Sequence, residues 1–183
     1  MAEAEKSVVC LGFFDGVHAG HQALLKAGRA KADEMQVPLC VHTFDRAPSP
    51  KGMELTDLAH REKWLRFYGA DRVYVSVFDE SLRRMDGKTF FEQIILKEMG
   101  AVHVICGDDH RFGFMGQCGV RELQAFCADA GIGCTIVPGV TLEGKRISSR
   151  AIRTALKEGR VQDAESMLGR PADAEMLQKC RNE

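Results

Sequence analysis

The sequence predicts a Rossmann-like, doubly wound α/β domain, built on a mainly five-stranded parallel sheet with helices on both faces. Three observations carry that expectation. Short apolar runs alternate with longer segments of helical period, each run is followed by such a segment, and the glycine-rich and proline-rich stretches fall where strands should end. The 183 residues lie within the usual range of roughly 50–250 for one domain, enough to bury a sizeable core, so residues 1–183 are expected to form a single domain.

In order, the first strand is expected over Ser7–Phe14 and the first helix over His21–Met35, where Leu24, Leu25, Gly28 and Ala32 mark one face. The alternation continues as strand Leu39–Phe44, helix Thr56–Tyr68, strand Arg72–Val77, helix Phe90–Met99, strand Val102–Cys106, helix Arg121–Ala130 and strand Cys134–Val137. Two closing helices are expected over Ser148–Lys157 and Val161–Leu168, parted by Gly159, a natural helix stop. Right-handed crossovers would cover both sheet faces and place ligands beyond the carboxyl ends of the strands. The irregular stretches Asp45–Glu54 and Arg111–Val120 follow strand ends and are candidate substrate loops.

Composition excludes several classes. With 25 basic against 26 acidic side chains there is no broad footprint for nucleic acid or an anionic membrane, so any phosphate binding must be local. The seven cysteines are scattered and never spaced Cys-x-x-Cys, which argues against a disulfide framework and a zinc site. The first residues lack an apolar signal region and no apolar run approaches a membrane span, making the cytoplasm the default compartment.

The most informative segment is Gly12-Phe13-Phe14-Asp15-Gly16-Val17-His18-Ala19-Gly20-His21, at the turn from the first strand into the first helix. Glycines allow close backbone approach, the helix N-terminus offers N–H groups to an anion, and His18 and His21 lie three apart. Such a turn is a triphosphate cradle. Elsewhere, Trp64 and Met99 read as core, His42, His60 and His103 as packing or solvent-facing groups, and Arg61-Glu62-Lys63 as a solvated helix face.

With its His-x-Gly-His signature the sequence resembles the nucleotidyltransferase superfamily. Phe14 to Gln22, Thr43-Phe44, Leu55-Thr56, Gly69-Ala70-Asp71, Gly107 to Gly113, Ile147-Ser148-Ser149 through Arg153, and Leu168-Gly169-Arg170-Pro171 narrow the likeness. Together they resemble the adenylyltransferase module of the bacterial bifunctional riboflavin kinase/FAD synthetase family. The resemblance implies an FMN adenylyltransferase that joins ATP and FMN into FAD and pyrophosphate by direct in-line attack, with Mg²⁺ accompanying ATP. It implies that His18, His21, Ser148, Ser149 and Arg153 act on the ATP phosphates, Ser148 and Ser149 by capping the later helix. Gly12, Phe13, Phe14, Asp15, Gly20, Gly107, Asp109 and Ile147 would line the ATP site, with Asp109 on the ribose. Thr43, Phe44, Arg111 and Phe112 would line the FMN site, joined by Phe114, with Arg111 on the FMN phosphate; no protein metal ligand is implied.

Departures from the family pattern concentrate on the flavin side. Its Pro-His-Pro reads Arg46-Ala47-Pro48 here, its Asp-Phe-Arg-Phe-Gly reads Asp109-His110-Arg111-Phe112-Gly113, and Arg150 stands where threonine is usual. Residues 172–183 are too few for the family's kinase barrel, so only the adenylyltransferase domain is expected. Two competing readings remain: a related nucleotidyltransferase with another phosphorylated acceptor, and a non-catalytic flavin- or nucleotide-binding regulator.

Overall fold

The computed structural model describes residues 4–48 and 53–181 of the chain. The middle of the expected loop Asp45–Glu54, residues 49–52, lies outside the described residues, as does the end of the 172–183 tail. Five parallel strands, β1 (Ser7–Leu11), β2 (Leu39–Phe44), β3 (Arg72–Ser76), β4 (Ala101–Gly107) and β5 (Gly133–Val137), form one sheet in the order β3-β2-β1-β4-β5. The order reverses between β1 and β4, and a ligand crevice is expected at that switch point.

Alternation along β1 explains why both faces need covering. Val8 and Cys10 pack on one face with Leu24, Leu25 and Ala32 of α1 (Ala19–Met35) and Leu65 of α2 (Leu58–Phe67). Val9 and Leu11 pack on the other. There they meet α4 (Gly87–Thr89), which runs on as the π-helical segment Phe90–Glu98, and α5 (Val120–Asp129), through Phe91, Ile95 and Leu123. A short helix, α3 (Glu80–Arg84), precedes α4. A third apolar cluster joins α6 (Ser149–Lys157), α7 (Val161–Leu168) and α8 (Ala174–Arg181) through Ile152, Ala155, Leu168 and Met176. No helix among the described residues is long and apolar enough to cross a membrane.

Several expected boundaries shift for local reasons. The first strand ends at Leu11, because Phe14 (φ 60°), Gly16 (φ 79°) and Val17 (φ 42°) turn left-handed and cannot continue extended backbone. Helix α1 begins at Ala19 rather than His21, with His18 as its extended N-cap. The helix expected from Phe90 starts earlier, where Asp86 accepts a hydrogen bond from Thr89 N at 3.0 Å. Helices α3 and α8 and the hairpin of β6 (Thr141–Leu142) with β7 (Lys145–Arg146) were not expected; each is too short for a periodic signal.

Candidate active site

The turn after β1 is tied down from five directions. Phe13 O accepts from Thr43 Oγ1 (2.8 Å) and Arg61 Nη1 (3.1 Å), and the Arg61 guanidinium lies 4.1 Å above the Phe13 ring. Asp15 Oδ1 accepts from the N–H groups of Leu55 (2.7 Å) and Thr56 (3.1 Å), while Oδ2 pairs with Arg153 Nη1 at 2.8 Å. Ser149 Oγ donates to Asp15 O at 2.9 Å. Gly16 N donates to Thr56 Oγ1 (3.0 Å), and Gly16 O accepts from Arg170 Nη2 (2.9 Å). Gln22 Nε2 bridges Val17 O and Leu168 O at 3.0 and 2.7 Å. Positive φ at Phe14 and at β-branched Val17 is strain that persists only when its surroundings over-determine it, which these bonds do.

Held on this turn, the rings of His18 and His21 stack with centroids 3.7 Å apart and planes 19° from parallel. A side chain at Gly20 would bring its Cβ to 3.0 Å from His18 Cε1, so glycine makes room for the ring. The Phe14 ring backs His21 at 5.2 Å. Burial drives the His18 pKa down to about 4, against a smaller rise from a backbone hydrogen bond and a further lowering by the Arg146 charge. His21 is pushed well below its ordinary value by burial, the His18 charge and the Arg61 charge. Both imidazoles are therefore neutral at neutral pH, as close stacking requires, and each Nδ1 is buried with no hydrogen-bond partner among the described residues.

Helix α6 presents its N-terminus to the same turn. Ser148 is its N-cap, its Oγ accepting from Ala151 N at 3.1 Å, as the serine pair suggested. Ser149 and Arg153 point instead at Asp15. The Ile147 side chain is buried in the third apolar cluster and its N–H is taken by Val140 O at 2.9 Å. At the end of β4, Gly107 leads into Asp108 and Asp109; Arg146, on β7, reaches Asp108 Oδ1 at 2.5 Å and Asp109 Oδ2 at 3.2 Å. Arg146 was not foreseen, because only the hairpin brings it across to β4.

A cavity of about 600 Å³ opens beside Leu11 and Gly12. Phe44, Arg111 and Phe112 line it, as do Phe78, Phe90, His42 and His110, while Arg83 joins Arg111 as a second cation. Thr43 does not line it; its hydroxyl is spent on Phe13 O. Phe114 is also absent from the lining, but its neighbours Gly113 and Met115 contribute. The helix face expected to be solvated is corrected at Arg61, whose side chain is 0 % exposed beneath Phe13. His42, expected only to pack or meet solvent, forms part of the cavity wall.

The family model described as FAD synthetase matches residues 1–151. The bifunctional riboflavin kinase/FMN adenylyltransferase of Bacillus subtilis is 35% identical over 177 residues, covering 92% of this chain and 55% of that protein. Its counterpart from Pseudomonas fluorescens is 34% identical over 179 residues, covering 90% and 54%. The chain thus spans about half the length of the curated relatives it matches. A solved structure described as a macrolide-efflux protein from Streptococcus pneumoniae superposes with a TM-score of 0.83 at 29% identity, covering 94% of this chain and 67% of that one.

Proposed function

Because the chain belongs to the FAD synthetase family, we propose that it transfers the adenylyl group of ATP to the phosphate of FMN, releasing pyrophosphate. We read residues 1–183 as one adenylyltransferase domain working in the cytoplasm on these two small molecules. The observation that carries this reading is the cavity. Among the described residues, six aromatic or imidazole rings and two arginines line it and no carboxylate does, and at Gly12 it meets the turn bearing His18 and His21. A flat, anionic acceptor fits such a wall, with its phosphate directed to the cation-lined rim.

The FMN phosphate supplies the nucleophile. A phosphomonoester has its second pKa near ~6, so one of its oxygens attacks the ATP α-phosphorus without a general base. The new P–O bond forms as the bond to the β-phosphate breaks, and pyrophosphate leaves with the electron pair. The protein's part is positioning and charge stabilisation. Neutral His18 and His21 offer ring N–H donors to phosphate oxygens, and α6, capped by Ser148, offers N-terminal N–H groups. Asp15 and Arg153 neutralise one another and act by fixing the turn. Asp109, just past β4, is read as accepting from the ribose once it exchanges Arg146 for the nucleotide. Phe44 and Phe112 flank the ring system, and Arg111 takes the FMN phosphate.

The residues around the turn do not suit a dedicated magnesium cage. Asp15, Asp108 and Asp109 are engaged by arginines, and imidazole is a poor partner for so hard a cation. Magnesium is therefore read as arriving on the triphosphate's own oxygens, and no step depends on a protein ligand to it.

The test is to incubate the chain with ATP, Mg²⁺ and FMN, separate the flavins by chromatography and assay pyrophosphate in parallel. FAD and pyrophosphate in equal amounts are expected. FMN bound but unconverted would favour a regulator. Turnover of another phosphorylated acceptor in place of FMN would assign the chain to a different nucleotidyltransferase reaction.

A further inference from the structure

We propose that His42 and His110 determine acceptor specificity, by hydrogen-bonding the donor–acceptor edge of the flat heteroaromatic ring that occupies the cavity. The inference rests on the reading of that ring as a flavin. It goes further in saying which atoms the protein reads.

The two histidines come from the strands on either side of β1. His42 lies on β2 and His110 just past the end of β4, and both line the cavity. His42 is held firmly: Nε2 shares a hydrogen bond of 2.8 Å with Ser76 Oγ, and the ring stands edge-on to Phe44 (4.9 Å, 87°) and Phe90 (5.3 Å, 81°). With Nε2 occupied, Nδ1 is the nitrogen left for a ligand. His110 runs nearly parallel to Phe112, with centroids 5.8 Å apart and planes at 18°, and its Nε2 is buried with no hydrogen-bond partner among the described residues. A buried polar atom without a partner is costly and uncommon in a folded chain, and a ligand is one of the few things that relieves it.

Packing does not explain these nitrogens. Phe44, Phe78, Phe90 and Phe112 already build the rest of the wall, and a phenyl ring would fill either position without a desolvation penalty. What imidazole adds is hydrogen bonding in both directions. Burial lowers the His42 pKa to about 3, helped by the His110 charge, and the His110 pKa to about 4. Each ring is thus neutral and keeps one N–H donor and one acceptor nitrogen. The pyrimidine edge of an isoalloxazine offers the complement, two carbonyl oxygens around an imide N–H. An imidazolium could serve only the oxygens; a neutral pair can serve both kinds of atom. A site built this way rejects ring analogues that lack the matching group.

The experiment measures binding of FMN and of its N3-methyl analogue, by flavin fluorescence and absorption, to the wild-type chain, His110→Phe, His110→Gln and His42→Leu. Wild type should bind the methyl analogue roughly 10–100-fold more weakly than FMN. His110→Phe should weaken FMN by a similar factor, leave ATP affinity unchanged and lose most of the discrimination, and His110→Gln should restore part of it. His42→Leu should reduce discrimination as well. If wild type binds both flavins equally, the proposal is overturned without any variant. It is also overturned if the variants weaken both flavins by the same factor, since that is loss of packing alone. Should His110→Phe fail to fold, the wild-type analogue comparison and His110→Gln still decide. Discrimination with no FAD formed would remove the adenylyl-transfer reading and leave this one standing, whereas FAD formation without discrimination would do the reverse.

Discussion

From Phe13 to Gly16 the backbone is held by Thr43, Arg61, Ser149, Thr56 and Arg170, while the Asp15 carboxylate accepts from the N–H groups of Leu55 and Thr56 and pairs with Arg153. Across the shared Gly12, the cavity side is built differently. Phe112 and Cys118 exchange backbone hydrogen bonds of 3.0 and 3.1 Å and Arg111 Nε reaches Gly116 O at 2.9 Å, but Phe114 is 41% and Met115 87% exposed. The braced half is where charge would develop on phosphorus, and fixed donors stabilise such charge without reorganising. The softer half would receive a large flat ring, for which an adaptable rim costs little.

Removing the brace itself should have the largest effect. Asp15→Ala would leave the Arg153 guanidinium, largely buried, without its partner and two backbone N–H groups without an acceptor. Breaking a buried pair from one side costs about 3–5 kcal/mol. Urea denaturation should show a loss of that size, and a change under about 1 kcal/mol would mean the turn is not held by these bonds.

Next come the donors the brace carries. His18→Ala and His21→Ala should each lower kcat about 100–1000-fold, roughly 2–4 kcal/mol of transition-state stabilisation, with a much smaller change in ATP affinity. Steady-state kinetics with calorimetric ATP titration checks this. Near-normal turnover in the double variant would dissolve the contrast between the two regions, because the braced turn would then hold nothing that reacts.

Acid should probe both regions together. His18, His42 and His110 have folded-state pKa values of about 4, 3 and 4, below the unfolded value near ~6.5, so in that interval the unfolded chain binds more protons. Stability is then fully present above about pH 6.5 and falls as the pH drops from there towards 4, by roughly 1–2 kcal/mol per histidine at pH 5. Denaturant midpoints measured from pH 8 to 4.5 test the sign. A His110→Phe chain should show a shallower fall than wild type; an identical slope would remove His110 from the account.

The smallest effect is expected at the soft rim. Met115→Ser should change stability by no more than about 0.5 kcal/mol, since the side chain is mostly in solvent. Its effect on the KM for FMN should exceed its effect on the KM for ATP. A stability loss above about 1 kcal/mol would show that this loop is braced as well.

What the sequence alone determined is whatever depends on near neighbours along the chain. Apolar periodicity placed five strands and the longer helices, glycine and histidine spacing marked the turn after β1, and the serine pair at the start of α6 announced a helix cap, because periods, turns and caps are set within a few residues. Family resemblance added the flavin side, including Phe44, Arg111 and Phe112, which do line one cavity. Tertiary structure alone decided the rest. Arg61 sits in a charged run that reads as a solvated face, and it is buried because β1 delivers Phe13 over it. Arg153 meets Asp15 across 138 residues and Arg170 meets Gly16 across 154. His42 and His110 become parts of one cavity wall only when β2 and β4 flank β1. No local pattern encodes such pairings. They follow from which strands the sheet makes adjacent, and a side chain's burial and charge state are properties of that completed neighbourhood.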